Sequence, residues 1–171
     1  SQGARVLNEV VPRAIALLSA GARPQIRHQA GRTAEVAAAS YAGAGVAADV
    51  TPFIEDMAGA YGWADLVVAR AGALTVAELE AAGVGAILVP YPYAIDDHQT
   101  RNAEHFARQG AGVVIAENDL SPARLAAELG RLIADRQALL TMAETARSQA
   151  LTHAADEIAR ACIALSERGA A

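Results

Sequence analysis

Short apolar runs alternate with longer amphipathic stretches along most of the chain. Apolar runs at residues 25–29, 46–50, 65–69, 86–90 and 112–116 have the length of buried strands. Between them, residues 4–20, 32–42, 54–63, 74–82 and 99–108 place apolar side chains at helical spacing. This alternation predicts an α/β fold, a Rossmann-like, doubly wound parallel sheet with helices on both faces. Two helices are expected to close the chain. One starts at Ser121-Pro122, a capping serine with proline at the first helical position. The other follows Thr152 and ends near Gly169, a C-terminal cap. No repeat, low-complexity linker or boundary interrupts the pattern, so residues 1–171 read as a single domain.

The opening "SQGARVLNEVVPRAIALL" departs from the pattern. It reads as a phosphate-binding loop running straight into a helix, and in a doubly wound fold such a loop follows a strand. A strand, and a whole further domain, are therefore expected before Ser1 in the parent protein.

Composition narrows the function. A chain of 171 residues that is 53% hydrophobic and 19% charged forms one domain with a real core. Its net charge of -5 argues against a nucleic-acid-binding surface. A small anion held by backbone N–H groups remains compatible. Cys162 is the only cysteine, which excludes a disulfide framework or a cysteine-based zinc site within the chain. Its setting among Ile158, Ile163 and Leu165 predicts a small buried apolar residue, as expected in a reducing cytoplasm. The start shows no signal-peptide pattern. The longest uncharged stretch, residues 81–95, is broken by Gly83, Gly85, Pro90 and Pro92 and falls short of the ~18 apolar residues of a membrane span.

In open parallel sheets, ligands bind beyond the carboxyl ends of the strands. Three segments fall there: Ser1-Gln2-Gly3, Arg70 to Glu78, and Val89 to Ala103. In the second, Gly72 is expected to allow a sharp turn, and Ala71, Gly72 and Ala73 let a ligand approach the backbone. The first turn of the following helix makes an anion site, to which Thr75 adds a hydroxyl. Glu78 lies three residues on and shares a face with Thr75. A carboxylate there repels phosphate but accepts two hydrogen bonds from a vicinal diol. Phosphate at Thr75 and ribose at Glu78 describe a nucleotide. The same two residues also read as ordinary capping of a helix N-terminus.

In the third segment, Pro90 and Pro92 stiffen a loop that delivers Asp96, Asp97, His98 and Gln99 to a helix start. These groups suit the hydroxyls of a sugar. Helix capping by Asp96 or Asp97 is expected as well, and a metal site is not. After the second strand, Phe53, Ile54 and Met57 read as packing residues or as the walls of a slot for a flat base. His28 and His153 have no partner pattern and receive no role. His105 is expected to be half exposed.

These residues carry a resemblance. "SQGA" at residues 1–4, "HQAG" at 28–31, "FIEDMAGAYGWAD" at 53–65, "ARAGALTVAEL" at 69–79 and "VPYPYAIDDHQTRNA" at 89–103 resemble the carboxyl-terminal half of the MurG family, within glycosyltransferase family 28. The likeness spans essentially the whole chain. It implies the donor-binding half of a glycosyltransferase B fold. The activity implied is inverting transfer of N-acetylglucosamine from UDP-N-acetylglucosamine to undecaprenyl-pyrophosphoryl-MurNAc-pentapeptide (lipid I to lipid II, in peptidoglycan synthesis), with no metal and no cofactor. By resemblance, Ser1 and Gln2 lie at the diphosphate. The Ile54 backbone pairs with uracil, with Phe53 and Met57 nearby. Gly72, Ala73, Leu74, Thr75, Val76 and Ala77 form the phosphate-side helix start, and Glu78 holds the ribose. Gln99, with Asp97, His98 and Asn102, contacts the sugar.

The same resemblance puts the acceptor site, the membrane-facing patch and the catalytic base on an amino-terminal domain. The enzyme is then peripheral, at the cytoplasmic face of the bacterial inner membrane, and this half alone is inactive. Two family glycines before Ser1 are absent here. Gly85 stands where the family often has proline and is expected to loosen a turn. The alternatives are a stand-alone sugar-nucleotide-binding subunit of a split transferase, another UDP-sugar enzyme of this fold such as a 2-epimerase, or a flavodoxin-like regulatory domain.

Overall fold

The computed structural model describes residues 5–168. The order of elements is α1 (Arg5–Leu17), β1 (Arg27–Gln29), α2 (Ala34–Gly43), β2 (Asp49–Thr51), α3 (Met57–Trp63), β3 (Val67–Ala69), α4 (Ala73–Ala82), β4 (Ala86–Leu88), α5 (His98–Arg108), β5 (Gly112–Val114), α6 (Pro122–Ile133), α7 (Arg136–Ser148) and α8 (Ala154–Arg168). All strand pairs are parallel, as the alternation predicted.

β4 shows how the two faces are covered. Successive strand residues point to opposite sides. Ile87 and Val89 enter a core with Leu7 and Ile15 of α1, Leu125 and Leu129 of α6 and Met142 of α7. Ala86 and Leu88 enter a second core with Val76 and Leu79 of α4 and Ala103 and Phe106 of α5. A strand buried on both faces carries no polar side chain, which is why its sequence is a continuous apolar run.

The strands form two sheets, β1-β2 and β3-β4-β5. Between β1 and β3 lies a groove of about 810 Å³, walled by residues of both strands and floored by Leu7, Ile15 and Leu129. No strand ladder bridges it among the described residues.

Several boundaries differ from the sequence expectation. β2 begins at Asp49, not Val46, because Val46 is buried and its N–H caps the end of α2 at the Tyr41 carbonyl. α3 begins at Met57, not Ile54, because the Asp56 carboxylate accepts from the Gly59 N–H at 2.8 Å and fixes the start. α1 ends at Leu17, short of Ala20. Among the described residues three helices follow β5, where two were expected. The additional one is α7, whose N-terminus Asp135 caps through the Ala138 N–H at 2.9 Å. The Ser121 cap of α6 forms as expected.

Gly85 also makes a close approach that the sequence did not signal. A Cβ there would stand 2.8 Å from the Met142 Cβ, so glycine lets α7 close on the sheet. Cys162 is exposed, as are Ile158, Ile163 and Leu165 of α8, contrary to the buried setting expected. Among the described residues no helix is long and apolar enough to cross a membrane.

Candidate functional site

The carboxyl end of β3 leads through Arg70, Ala71 and Gly72 into α4. Gly72 caps the helix in an extended conformation (φ -62°, ψ 147°), so no left-handed turn demands a glycine. A Cβ here would meet the Thr75 hydroxyl at 3.7 Å. The missing side chain instead keeps the approach to the helix start open. No side chain caps α4. The Val76 N–H is the first to find an intrahelical partner, the Gly72 carbonyl at 3.0 Å. The N–H groups of Ala73, Leu74 and Thr75 precede it and have no partner within the helix. The capping reading of Thr75 and Glu78 is therefore not what the structure contains. Val76 itself is buried, with its side chain in the core, so it supports the turn from below. Ala77 and Leu74 are exposed.

Glu78 has a partner the sequence did not reveal. The Tyr61 hydroxyl of α3 donates to Glu78 Oε2 at 2.9 Å. Burial, and then the adjoining carboxylate, push the phenol's pKa up, so it stays a donor. Ile54, Met57, Tyr61 and Thr75 line one groove, the one that opens between β1 and β3. The Ile54 N–H donates to the side-chain oxygen of Gln29 at 2.9 Å. Gln29 lies 25 residues before Ile54, so no local pattern in the sequence signals this contact. Phe53 stands exposed beside it.

The loop after β4 joins this region through polar contacts. Asn102 of α5 donates to the Ala71 carbonyl at 3.0 Å, tying the third segment to the second. The Gln99 side-chain oxygen accepts from the Tyr91 N–H at 3.0 Å, which leaves its NH2 group for a ligand. Asp96 and Asp97 both adopt left-handed backbone, at φ 54° and 53°. Such conformations in non-glycine residues cost roughly 1–3 kcal/mol each and cluster at ligand sites. Asp97 sits at the cap position of α5, yet its carboxylate accepts from the Thr100 hydroxyl at 2.6 Å and not from a backbone N–H. Helix capping by aspartate, expected from the sequence, is not formed. His98 and Asp97 are exposed. Among the described residues no cluster of His, Cys, Asp and Glu could hold a metal ion.

Arg70, the first residue of the second segment, has a role its sequence position did not assign. Its guanidinium donates to the carbonyls of Val89 and Pro90 at 3.1 Å, pairs with Glu117 beyond β5 and lies 5.5 Å from the centre of the Tyr91 ring. One side chain thus ties together the carboxyl ends of β3, β4 and β5. A charged residue straight after an apolar strand was the available signal.

His28 also has a role in the fold. Asn8 of α1, 1% exposed, donates to the Ala30 carbonyl at 2.9 Å and the Thr33 hydroxyl at 2.7 Å. Its oxygen therefore faces His28 Nε2, at 2.9 Å, and that nitrogen carries the proton. Nδ1 then accepts from the Tyr41 hydroxyl at 3.0 Å. This network anchors α1 to β1. His105 is exposed. Ser1 and Gln2, expected at the diphosphate, lie outside the described residues.

Comparison with known proteins shows the family. The family model described as "Glycosyltransferase family 28 C-terminal domain" matches residues 1–158. The chain is 56% identical over 164 residues to the UDP-N-acetylglucosamine--N-acetylmuramyl-(pentapeptide) pyrophosphoryl-undecaprenol N-acetylglucosamine transferase of Nitrosococcus oceani, covering 95% of this chain and 46% of the relative. The Azoarcus sp. protein of the same name is 52% identical, over 98% of this chain and 47% of its own. The chain thus spans about half the length of the curated relatives it matches. A crystal structure of Acinetobacter baumannii MurG superposes with a TM-score of 0.84 at 43% identity, covering 91% of this chain and 47% of that one. The glycosyltransferase VinC, solved with dTDP, shares the fold at a TM-score of 0.60 and 23% identity, over 90% of this chain and 36% of its own.

Proposed function

This chain belongs to the glycosyltransferase family 28 C-terminal domain family, and from that premise we propose that it is the donor-binding half of an inverting N-acetylglucosaminyltransferase. The donor is UDP-N-acetylglucosamine. The acceptor is undecaprenyl-pyrophosphoryl-MurNAc-pentapeptide, held by an amino-terminal domain that also meets the cytoplasmic face of the bacterial inner membrane. The observation that carries the reading is the convergence of Ile54, Met57 and Thr75 on one groove, with Glu78 presented at its side by a helix that no side chain caps.

The donor then lies along the strand ends. Uracil meets the main chain at Ile54, between Phe53 and Met57, and the Gln29 amide yields the Ile54 N–H to it. The ribose diol binds Glu78. The diphosphate meets Thr75 and the N–H groups of Ala73 and Leu74 on one side, and Ser1 and Gln2 on the other. The sugar reaches Gln99 and Asn102, beside Asp97 and His98. As the acceptor oxygen bonds to the anomeric carbon, the bond from that carbon to the β-phosphate oxygen breaks, and UDP carries away the electron pair. The acceptor's proton passes to a base on the amino-terminal domain. Charge growing on the diphosphate faces the start of α4, whose dipole contributes roughly 0.3–2 kcal/mol, with hydrogen bonds in addition.

The domain organisation is part of the same proposal. A strand that fills only the inner part of the groove, over Leu7, Ile15 and Leu129, leaves its rim at Ile54, Met57 and Thr75 to the donor; leading into α1, it gives the order β2-β1-strand-β3-β4-β5. Numbered along the chain, this is the 3-2-1-4-5-6 order of doubly wound dinucleotide-binding sheets. The test of function is product analysis with the full-length protein, labelled UDP-N-acetylglucosamine and the lipid-linked acceptor. A lipid-linked disaccharide with inverted anomeric configuration is expected. Release of an epimerised sugar, or no transfer, contradicts it.

A further inference from the structure

We propose that Tyr61 is a positioning residue for the nucleotide's ribose: it holds the Glu78 carboxylate so that selection of a vicinal diol depends on both residues. This rests on the reading of Glu78 as the ribose contact. Glu78 is exposed on the second turn of α4, where an unsupported side chain samples several rotamers. Each rotamer excluded before binding is entropy that the ligand need not remove.

Tyr61 supplies the support. Its ring packs on the core built from α4 and α5, so the position of its hydroxyl is fixed by the fold. The hydroxyl donates to Glu78 Oε2 at 2.9 Å, occupying one acceptor site on that oxygen. A carboxylate has about four such sites. Those that remain on Glu78 can accept from two adjacent hydroxyls. Burial and the carboxylate both raise the phenol's pKa, so the donor persists across the neutral range. Tyr61 also lines the groove with Ile54, Met57 and Thr75, which puts its ring beside the path from base to phosphate. A deoxyribose donor lacks one of the two hydroxyls and gains less from an oriented carboxylate.

The experiment compares Tyr61→Phe and Glu78→Ala in the full-length protein, with UDP-N-acetylglucosamine and its 2′-deoxy analogue as donors. Tyr61→Phe keeps the ring, so an unchanged melting transition serves as the folding control. It is expected to raise KM for the ribose donor about three- to tenfold, the effect of one hydrogen bond. Little change is expected in kcat or in KM for the deoxy donor. Equal KM increases for both donors, or a fall in kcat alone, would show a packing role and overturn the proposal. So would an unchanged KM in Tyr61→Phe when Glu78→Ala raises it, and that result leaves the donor site standing. If Glu78→Ala leaves KM unchanged for the ribose donor, the ribose reading falls and this proposal falls with it.

Discussion

Glu78 and Thr75 illustrate what a single residue's place in a helix reveals. Their three-residue spacing puts them on one face, and that much is readable directly. Their partners are not. Tyr61 lies 17 residues before Glu78, and Arg70 reaches Glu117 across 47 residues. Neither pairing has a local sequence signal, because both arise only once the strands lie side by side. His28 looked like a lone histidine for the same reason, since Asn8 and Tyr41 reach it from α1 and α2. Its burial has a consequence for pH. Desolvation lowers the His28 pKa below its usual 6.5, so the unfolded chain binds a proton more readily. The stabilisation is complete above the unfolded value and is lost as pH falls through it towards the folded value. Urea melts should show stability declining from pH 7.5 to 5.5. A His28→Gln variant should be less stable at pH 7.5 but flatter with pH. Parallel profiles would contradict the assignment.

At the scale of elements, periodicity located the strands and most helices because a doubly covered sheet imposes continuous apolar runs. It failed where polar caps set the boundaries. Asp56 starts α3 late and Asp135 divides α6 from α7, and neither carboxylate alters the apolar spacing around it. The fit of α7 to the sheet depends on Gly85. A Gly85→Ala variant should lose about 1–3 kcal/mol, the usual cost of overpacking, in a denaturant titration; a neutral result contradicts the close approach to Met142. Arg70 joins three strand ends, so Arg70→Ala should free the loop after β4. The Tyr91 amide, held by Gln99, should then exchange faster as local opening becomes easier by about 1.5–3 kcal/mol, the worth of hydrogen bonds to a charged group. Arg70→Lys should not restore protection, because an ammonium lacks the planar fork. Unchanged Tyr91 exchange in both variants contradicts the clamp.

At the scale of the whole molecule, the proposed strand between β1 and β3 is open to test, because residues of both strands wall the groove there. The Val67 N–H bonds the Gly85 carbonyl on the β4 side, so the next N–H, that of Val68, faces the groove. In the full-length protein the Val68 amide should exchange as slowly as the interior of the sheet; fast exchange contradicts a strand there. Charge is legible at this scale too: a net charge of -5 fits the proposed donor site, which relies on backbone N–H groups and not on a basic surface. The central claim is that this sheet edge binds the donor nucleotide. Titration calorimetry of the full-length protein with UDP-N-acetylglucosamine tests it most directly. The account predicts saturable one-to-one binding, weakened about tenfold or more by Glu78→Ala, as befits lost hydrogen bonds to a charged group. Absence of binding by folded protein, or equal binding by the variant, would contradict it.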